Sequence, residues 1–163
     1  GRNLPLRGQK GTLWDGGIRV PCIARWPNLL PAGTVSPQAA ITMDLSATLL
    51  SAARVKPTRR MDGMSLLAFL SGWKPPVEQT FVWRDNWHDQ KALRWGHWKW
   101  LKIKGEEYLF NLEEDPGEQE NRTERNIDIV YWLREIYRQW ESAMPHSQTV
   151  FGDDLRNPGA EKQ

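Results

Sequence analysis

The chain has 163 residues, a formal net charge of +2 and 39% hydrophobic residues, enough for the core of one ordinary domain. The single cysteine, Cys22, excludes an internal disulfide framework, and no apolar run approaches the ~20 residues of a membrane-spanning helix. The first 43 residues contain five Lys or Arg residues and one acid, a local positive charge that favours an anionic small molecule. The sequence lacks the dense Lys/Arg run with interleaved aromatic residues that would predict a nucleic-acid partner.

The most informative segment lies near the start of the chain, and we call residues 5–17 the lysine loop. It contains Lys10 between Gly8 and Gly11 and ends on the pair Gly16 and Gly17. Glycine permits backbone angles that other residues avoid, and it lets a ligand approach the main chain closely. A lysine side chain offers a compact positive charge with three donors, which suits a tetrahedral oxyanion. This pattern predicts that Lys10 binds an anion.

The segment after the loop predicts part of an α/β domain. Ile18–Pro27 is apolar, β-branched at its start and bounded by Gly and Pro, which predicts a strand buried in a parallel sheet with Cys22 as a small core residue. Residues 28–38 are rich in Pro and Gly and predict a surface loop. Thr42 is predicted to cap a helix that continues to about Ala53, with Leu45 and Leu49 on its apolar side. Residues 62–67 then predict a turn and a short helix.

The second half of the chain predicts an antiparallel sheet packed by a helix. Pro and Gly in residues 72–76 mark a subdomain boundary, and turn signals separate four short β-like runs at residues 80–84, 91–95, 98–104 and 107–112. A helix is predicted from about Glu124 to Ala143 and should pack across that sheet. Its apolar positions recur at helical spacing: Ile129, Trp132, Leu133, Ile136 and Trp140. Residues 144–163 are polar and predict a loosely held tail.

The order of these segments resembles the C-terminal portion of the sulfatases, a family of the alkaline phosphatase superfamily. Residues 5–21 are similar to the family pattern P-L-R-G-x-K-G-x-x-x-(E/D)-G-G-x-R-x-P. Four later segments are similar to further sulfatase patterns: Asp44–Leu50 to D-L-x-P-T-L-L, with Ala47 in place of the proline, Asp62–Leu67 to D-G-x-S-L-L, Ala92–Lys99 to A-(L/V)-R-x-G-x-W-K, and Glu107–Glu118 to E-L-Y-D-L-x-x-D-P-x-E. The resemblance runs in register from about Pro5 to Ala143.

The resemblance implies a fold in three parts. Residues 1–75 would form the C-terminal part of the catalytic α/β domain, an alkaline-phosphatase-like sandwich. Residues 76–143 would form a small α+β subdomain, in which an antiparallel sheet is packed by the C-terminal helix. Residues 144–163 would be the polar tail.

The resemblance also implies an activity and a role for several side chains. The full-length protein would be a sulfuric ester hydrolase that converts an aryl or carbohydrate sulfate to an alcohol and inorganic sulfate, with Lys10 in contact with the sulfate. Asp15 and Arg19 would either orient the lysine loop or form a salt bridge that holds the turn. Trp87 and His88, in a polar loop between two strands, would touch the substrate; the alternative is a solvated hairpin tip.

Other parts of the sulfatase machinery are expected outside this chain. Sulfatases use a formylglycine nucleophile made from a Cys or Ser in a C/S-x-P-x-R signature, and the surroundings of Cys22 lack that spacing. They also bind Ca²⁺ through Asp and Asn side chains that we expect upstream, so no metal ligand is predicted here. We therefore interpret the chain as a C-terminal piece that is inactive alone and whose partners are the missing N-terminal part and a sulfated small molecule or glycan. The resemblance implies a periplasmic, secreted or lysosomal location.

Two alternative functions remain at this point. The chain could belong to another alkaline-phosphatase-superfamily hydrolase, one that acts on phosphonates or phosphodiesters. It could also be a non-catalytic carbohydrate-binding module, because it contains ten tryptophans, and Trp98 and Trp100 would share one face of a strand. The structural explanation of the tryptophans is that they pack the sheet against the C-terminal helix, and the positions of Trp132 and Trp140 in that helix support it.

Overall fold

The computed structural model describes residues 3–144, which form four helices and four strands. In chain order these are α1 (Asp15–Ile18), α2 (Thr42–Ala52), α3 (Leu67–Leu70), β1 (Thr80–Asp85), β2 (Gln90–Trp95), β3 (Trp98–Ile103), β4 (Glu106–Asn111) and α4 (Ile127–Ala143). This mixed content, with a four-stranded antiparallel sheet and a C-terminal helix, confirms the predicted fold class. No helix within residues 3–144 has the length and apolar character needed to cross a membrane.

The described chain divides into two compact units. The first unit contains residues 3–18, 82–93 and 97–144, and the second contains residues 19–81 and 94–96. The three-part division expected from the sequence, with bounds at residues 75 and 143, stays a prediction. Apart from Met144, the expected polar tail lies outside the described residues.

The sheet has the strand order β1-β2-β3-β4, so each strand pairs with its neighbour in sequence. Every strand begins and ends within one residue of its predicted position. The sequence could place these ends because glycines with positive φ, Gly96 at 55° and Gly105 at 88°, form the tight turns that flank β3. The antiparallel register of β3 and β4 sets Trp100 opposite Leu109 and Leu101 opposite Tyr108.

The first unit buries both faces of β3 and β4. On one face a hydrophobic cluster joins the lysine loop to the sheet; its buried members are Leu13, Ala92, Leu101, Phe110 and Leu112. On the opposite face Trp100 packs against Tyr137 of α4, with 5.2 Å between ring centroids. Because neighbouring residues of a strand point to opposite faces, Lys99 lies on the same face as Leu101, under the lysine loop.

Helix α4 forms as predicted, and four of its five predicted apolar positions are buried or half-buried: Ile129, Leu133, Ile136 and Trp140. The exception is Trp132, which is 43% exposed. Val130 and Tyr137, which were not predicted, are also buried, and their spacing places them on the same side of the helix as Leu133. Tyr137 gives Trp100 an aromatic partner.

In the second unit, α2 is confirmed within one residue, but its predicted cap is wrong. Thr42 is the first helical residue, and Ile41 takes the capping position without a side-chain bond. The buried Asp44 accepts a hydrogen bond from the Ile41 N–H (3.0 Å) and another from the Met64 N–H (2.8 Å). A first-turn carboxylate thus performs the capping role. Leu49, predicted on the apolar side, is 70% exposed.

The predicted buried strand Ile18–Pro27 is wrong. Ile18 ends helix α1, residues 19–26 have no regular secondary structure, and Cys22 is exposed instead of buried. A strand needs partners for its backbone N–H and C=O groups. All four described strands lie between Thr80 and Asn111 and pair among themselves, so within residues 3–144 no further strand is present to form a ladder with this run.

Candidate functional site

Lys10 lies at the apex of a tight turn. The Thr12 N–H donates to the carbonyl of Gln9 (3.0 Å), so Lys10 and Gly11 are the two central residues of a β-turn. Gly11 has a φ of 89°, the left-handed angle that a type II turn requires at its third residue. The Thr12 hydroxyl also donates to the Gln9 carbonyl (2.8 Å), and the Lys10 side chain is exposed. The turn therefore presents an ammonium group from a backbone that is fixed at both ends.

The Gly16–Gly17 pair lets two stretches of backbone approach each other closely. The Gly16 N–H donates to the Arg7 carbonyl (2.7 Å), and a Cβ on Gly16 would lie 2.5 Å from that oxygen. A Cβ on Gly17 would lie 2.1 Å from the carbonyl oxygen of Thr12. No side chain fits at either position without displacement of the lysine loop.

A buried ion cluster of Asp15, Lys99 and Glu118 lies beneath the lysine loop. The Lys99 Nζ is 2.7 Å from Asp15 Oδ1 and 2.7 Å from Glu118 Oε1. The Asp15 backbone N–H donates to Glu118 Oε2 (2.7 Å). Two carboxylates share one ammonium here; burial raises the pKa of Glu118, and the charge of Lys99 acts in the opposite direction. The cluster ties the end of the lysine loop to β3 and to the chain beyond β4.

The ion-pair partner of Asp15 is Lys99, which was not predicted from the sequence. In β3, Lys99 is buried together with the hydrophobic residues that follow it. A lysine at a buried position implies a nearby buried acid. That signal was present in the sequence, but it does not identify Asp15 or Glu118 as the acid. Arg19 lies at the surface. The orienting role of Asp15 and Arg19 stays a prediction.

Arg7 anchors the start of the lysine loop. Its guanidinium carbon lies 3.7 Å from the ring centroid of Trp14, a cation–π contact, and its Nη1 donates to the Glu118 carbonyl (2.9 Å). An open groove of about 470 Å³ lies beside this contact, lined by residues 3–9 and Gln119. Lys10 follows directly after the last loop residue that lines this groove.

A second turn, between β1 and β2, holds the other two predicted substrate contacts. The Trp87 N–H donates to Asp85 Oδ1 (3.0 Å), and His88 Nδ1 donates to Asp85 Oδ2 (2.7 Å). The hydrogen bond from His88 lowers the pKa of Asp85. Trp87 is 87% exposed, and His88 is exposed beside it.

One buried amide, that of Gln90, joins the two turns. Its Oε1 accepts the Leu13 N–H (3.0 Å), and its Nε2 donates to the Gly11 carbonyl (3.2 Å). The same Nε2 lies 3.4 Å from Asp85 Oδ2. The structure thus connects the turn of Lys10 with the turn of His88 through Gln90. The sequence analysis did not single out Gln90, because a lone glutamine at a strand start carries no motif.

Within residues 3–144, no group of three or more His, Cys, Asp and Glu side chains is arranged to hold a metal ion. Cys22 is an exposed free thiol. We therefore derive no catalytic step through a metal or through Cys22.

Comparison with known proteins identifies the family. Residues 9–139 match the family model described as N-sulphoglucosamine sulphohydrolase, C-terminal. The chain belongs to this family and is a C-terminal portion of a sulfatase, which confirms the resemblance found in the sequence.

Individual sulfatases align with much of the chain. N-acetylgalactosamine-6-sulfatase of Rattus norvegicus is 46% identical over 125 residues, covering 72% of this chain and 23% of the relative. An uncharacterized sulfatase of Schizosaccharomyces pombe is 32% identical over 149 residues, covering 79% and 27%. Steryl-sulfatase of Mus musculus is 36% identical over 97 residues, covering 58% and 16%. The chain thus spans between 16% and 27% of the length of these relatives.

A solved structure has the same fold. The crystal structure of Ps i-CgsB superposes with a TM-score of 0.75 at 26% identity, covering 85% of this chain and 32% of that one.

Proposed function

We propose that this chain is part of an enzyme that hydrolyses sulfate esters to an alcohol and inorganic sulfate, and that Lys10 binds the sulfate group. Membership of the sulfatase family supports the reaction. The observation that carries the role of Lys10 is its place at the exposed apex of a turn whose backbone, directly after Lys10, is bonded at Gly11 and Leu13 to the buried Gln90. Because the backbone of this turn is fixed, only the Lys10 side chain has to be ordered when the substrate binds.

The chemistry of the reaction explains why a fixed cation is useful. Cleavage of the S–O bond gathers negative charge on the leaving oxygen and on the other sulfate oxygens. An ammonium ~4 Å from one unit of charge contributes ~4 kcal/mol at an effective dielectric constant of ~20, before desolvation is counted. Because the turn is fixed, little reorganisation is needed as that charge develops. Lys10 would act by binding and charge stabilisation, without proton transfer.

The nucleophile and the metal are proposed to come from outside this chain. Formylglycine would supply the attacking oxygen and Ca²⁺ would hold the sulfate group. From residue 3 to residue 144, no three His, Cys, Asp or Glu side chains are grouped so that they could hold a metal ion. We assign no step of the reaction to either group within this chain. We also propose a periplasmic, secreted or lysosomal location for the full-length protein.

For the substrate we propose a carbohydrate sulfate, with Trp87 and His88 as contacts to the sugar. Ps i-CgsB, at 26% identity, has been solved in complex with k-i-k-neocarrahexaose, a sulfated glycan. The Trp87 ring is exposed on a turn whose backbone is bonded to Asp85, so it is available to stack on a sugar ring. Trp100, by contrast, is buried against Tyr137, and this disfavours a sheet-based carbohydrate-binding module.

The test is turnover in the full-length protein. Lys10→Gln removes the charge, and we expect kcat/KM to fall about 10²- to 10³-fold on an aryl sulfate and on a sulfated carrageenan oligosaccharide. The matched control is Lys104→Gln, which removes an exposed turn lysine of the same unit and should leave kcat/KM within about twofold. Wild-type turnover in Lys10→Gln would remove Lys10 from the mechanism. Release of phosphate from matched phosphonate or phosphodiester substrates, without sulfate release, would favour the alternative hydrolase.

A further inference from the structure

We infer that Gln90 is a positioning residue of the sulfatase reaction, because it holds the turn of Lys10 and the turn of His88 in one fixed arrangement. This inference rests on the proposed function and deepens it. It assigns the geometry of the site to a residue that itself touches no substrate.

The first support is the number of bonds that Gln90 makes. A glutamine amide has one acceptor oxygen and two N–H donors. The oxygen bonds to the Leu13 N–H, one donor faces the Gly11 carbonyl, and the nitrogen also lies within 3.4 Å of Asp85 Oδ2. Gln90 is only 4% exposed, so water cannot easily replace these partners. The amide oxygen and the amide nitrogen of Gln90 are thus both directed at the two turns.

The second support is where those bonds fall. Gly11 directly follows Lys10, and Leu13 is the first residue after the turn. Gln90 therefore bonds to the backbone on the C-terminal side of Lys10. Asp85 holds the His88 ring through its Oδ2, the same oxygen that Gln90 approaches. A displacement of Gln90 would therefore move both turns at once.

The third support is the neutrality of the amide. A glutamate at position 90 would set a second carboxylate beside Asp85 and against the carbonyl of Gly11. A methionine of similar size would leave the buried Leu13 N–H without its partner, at about 1–3 kcal/mol, and would remove the side-chain donor to the Gly11 carbonyl. Among side chains of this size, an amide alone can bond an N–H, a carbonyl and a carboxylate together.

The expected consequence is a loss of catalytic efficiency that acts through Lys10. Displacement of a positioned group by about 1 Å can reduce a rate about 10²-fold. For Gln90→Met in the full-length protein we expect kcat/KM for an aryl sulfate to fall about 10- to 100-fold. Gln90→Glu keeps the acceptor for Leu13, removes the donor to Gly11 and sets a second carboxylate beside Asp85, so kcat/KM should also fall at least about 10-fold.

The matched control is Asn121→Ala. Asn121 also bonds backbone groups through its side chain, accepting from the Leu109 N–H (3.0 Å) and donating to the Glu107 carbonyl (3.1 Å), but it contacts neither turn. Activities are compared well below the Tm of every variant. A Gln90 variant that loses no more activity than an Asn121→Ala protein of equal Tm would overturn the inference, because its effect would then be one of stability alone.

A double-mutant cycle separates positioning from general damage. If Gln90 acts through Lys10, Gln90→Met should change kcat/KM less than about threefold in a Lys10→Gln background. Fully additive losses would overturn the inference. Wild-type turnover in Lys10→Gln would instead refute the proposed role of Lys10. If Lys10→Gln loses activity but both Gln90 variants keep wild-type turnover, only the role of Gln90 is refuted.

Discussion

Replacement of Lys99 by methionine tests whether the buried ion cluster fixes the lysine loop. The Lys99 side chain is fully buried, and its Nζ lies 2.7 Å from a carboxylate oxygen of Asp15 and 2.7 Å from one of Glu118. Methionine fills a similar volume, so the main change is the loss of the cation. Two buried carboxylates then lack their counter-charge, and we expect the free energy of unfolding to fall by about 3–5 kcal/mol.

The assay is urea unfolding at neutral pH, analysed by linear extrapolation. The matched control is Lys102→Met, the same chemical change on the same strand at a half-buried position. We expect the control to change the free energy of unfolding by less than about 0.5 kcal/mol. Equal stability of the two variants would refute the view that the cluster holds the loop.

A rescue experiment identifies the physical cause. Neutralisation of both acids in the same protein, by Asp15→Asn and Glu118→Gln, removes the uncompensated charges that Lys99→Met leaves behind. Replacement of a whole buried ionic group by hydrophobic residues of similar volume is often neutral or stabilising, and Asn and Gln likewise leave no charge without a partner. The triple variant should therefore recover most of the lost stability. If it is less stable than Lys99→Met alone, the loss came from packing and the electrostatic explanation fails.

Two further predictions concern the lysine loop and the pH dependence of stability. Gly17→Ala places a Cβ 2.1 Å from a carbonyl oxygen and should reduce kcat/KM more than about 10-fold. In the control, Gly117→Ala, the new Cβ would lie 3.3 Å from its nearest neighbour, and kcat/KM should fall less than about threefold. Equal losses in the two variants would argue against backbone crowding as the cause. Burial raises the folded-state pKa of Glu118 above its ordinary 4.5, so the folded state binds the proton more tightly than the unfolded state does. The resulting stabilisation is present below about pH 4.5 and is lost as the pH rises through the raised pKa. Glu118→Gln should lack this decline when Tm is followed from acid to neutral pH, and superimposable pH profiles would contradict the assignment.

The elements that the sequence predicted well are those set by local chemistry. Turn signals between the β-like runs, with a glycine on each side of β3, predicted every strand end within one residue, and helical spacing predicted α4. Spacing alone does not tell whether Trp132 or Leu133 faces the sheet, because both are hydrophobic. Contacts across the fold decide between them: the ring of Tyr137 packs on Trp100, and this turns Trp132 outward.

The elements that the sequence predicted poorly depend on distant partners. The run Ile18–Pro27 has the composition of a buried strand, but composition does not supply the neighbouring strands that such a segment needs. The partners of the buried ion cluster could not be predicted for the same reason. A lysine at position 99 of a hydrophobic strand implies an acid nearby, but Asp15 lies 84 residues away along the chain, and only the fold brings them together.

The positions of Asp15, Lys99 and Glu118 show that three segments that resemble the sulfatases meet in the structure. Each belongs to a different segment that resembles the family: the Gly-Gly segment of the lysine loop, the Trp-Lys pair of β3 and the Asp-Pro segment after β4. In the structure these segments meet in one cluster directly beneath the loop. One ammonium group needs few residues for its chemistry, but a fixed position requires contacts from several elements. We therefore expect changes in the cluster to alter activity through the placement of Lys10, as changes at Gln90 should, and not through contact with substrate.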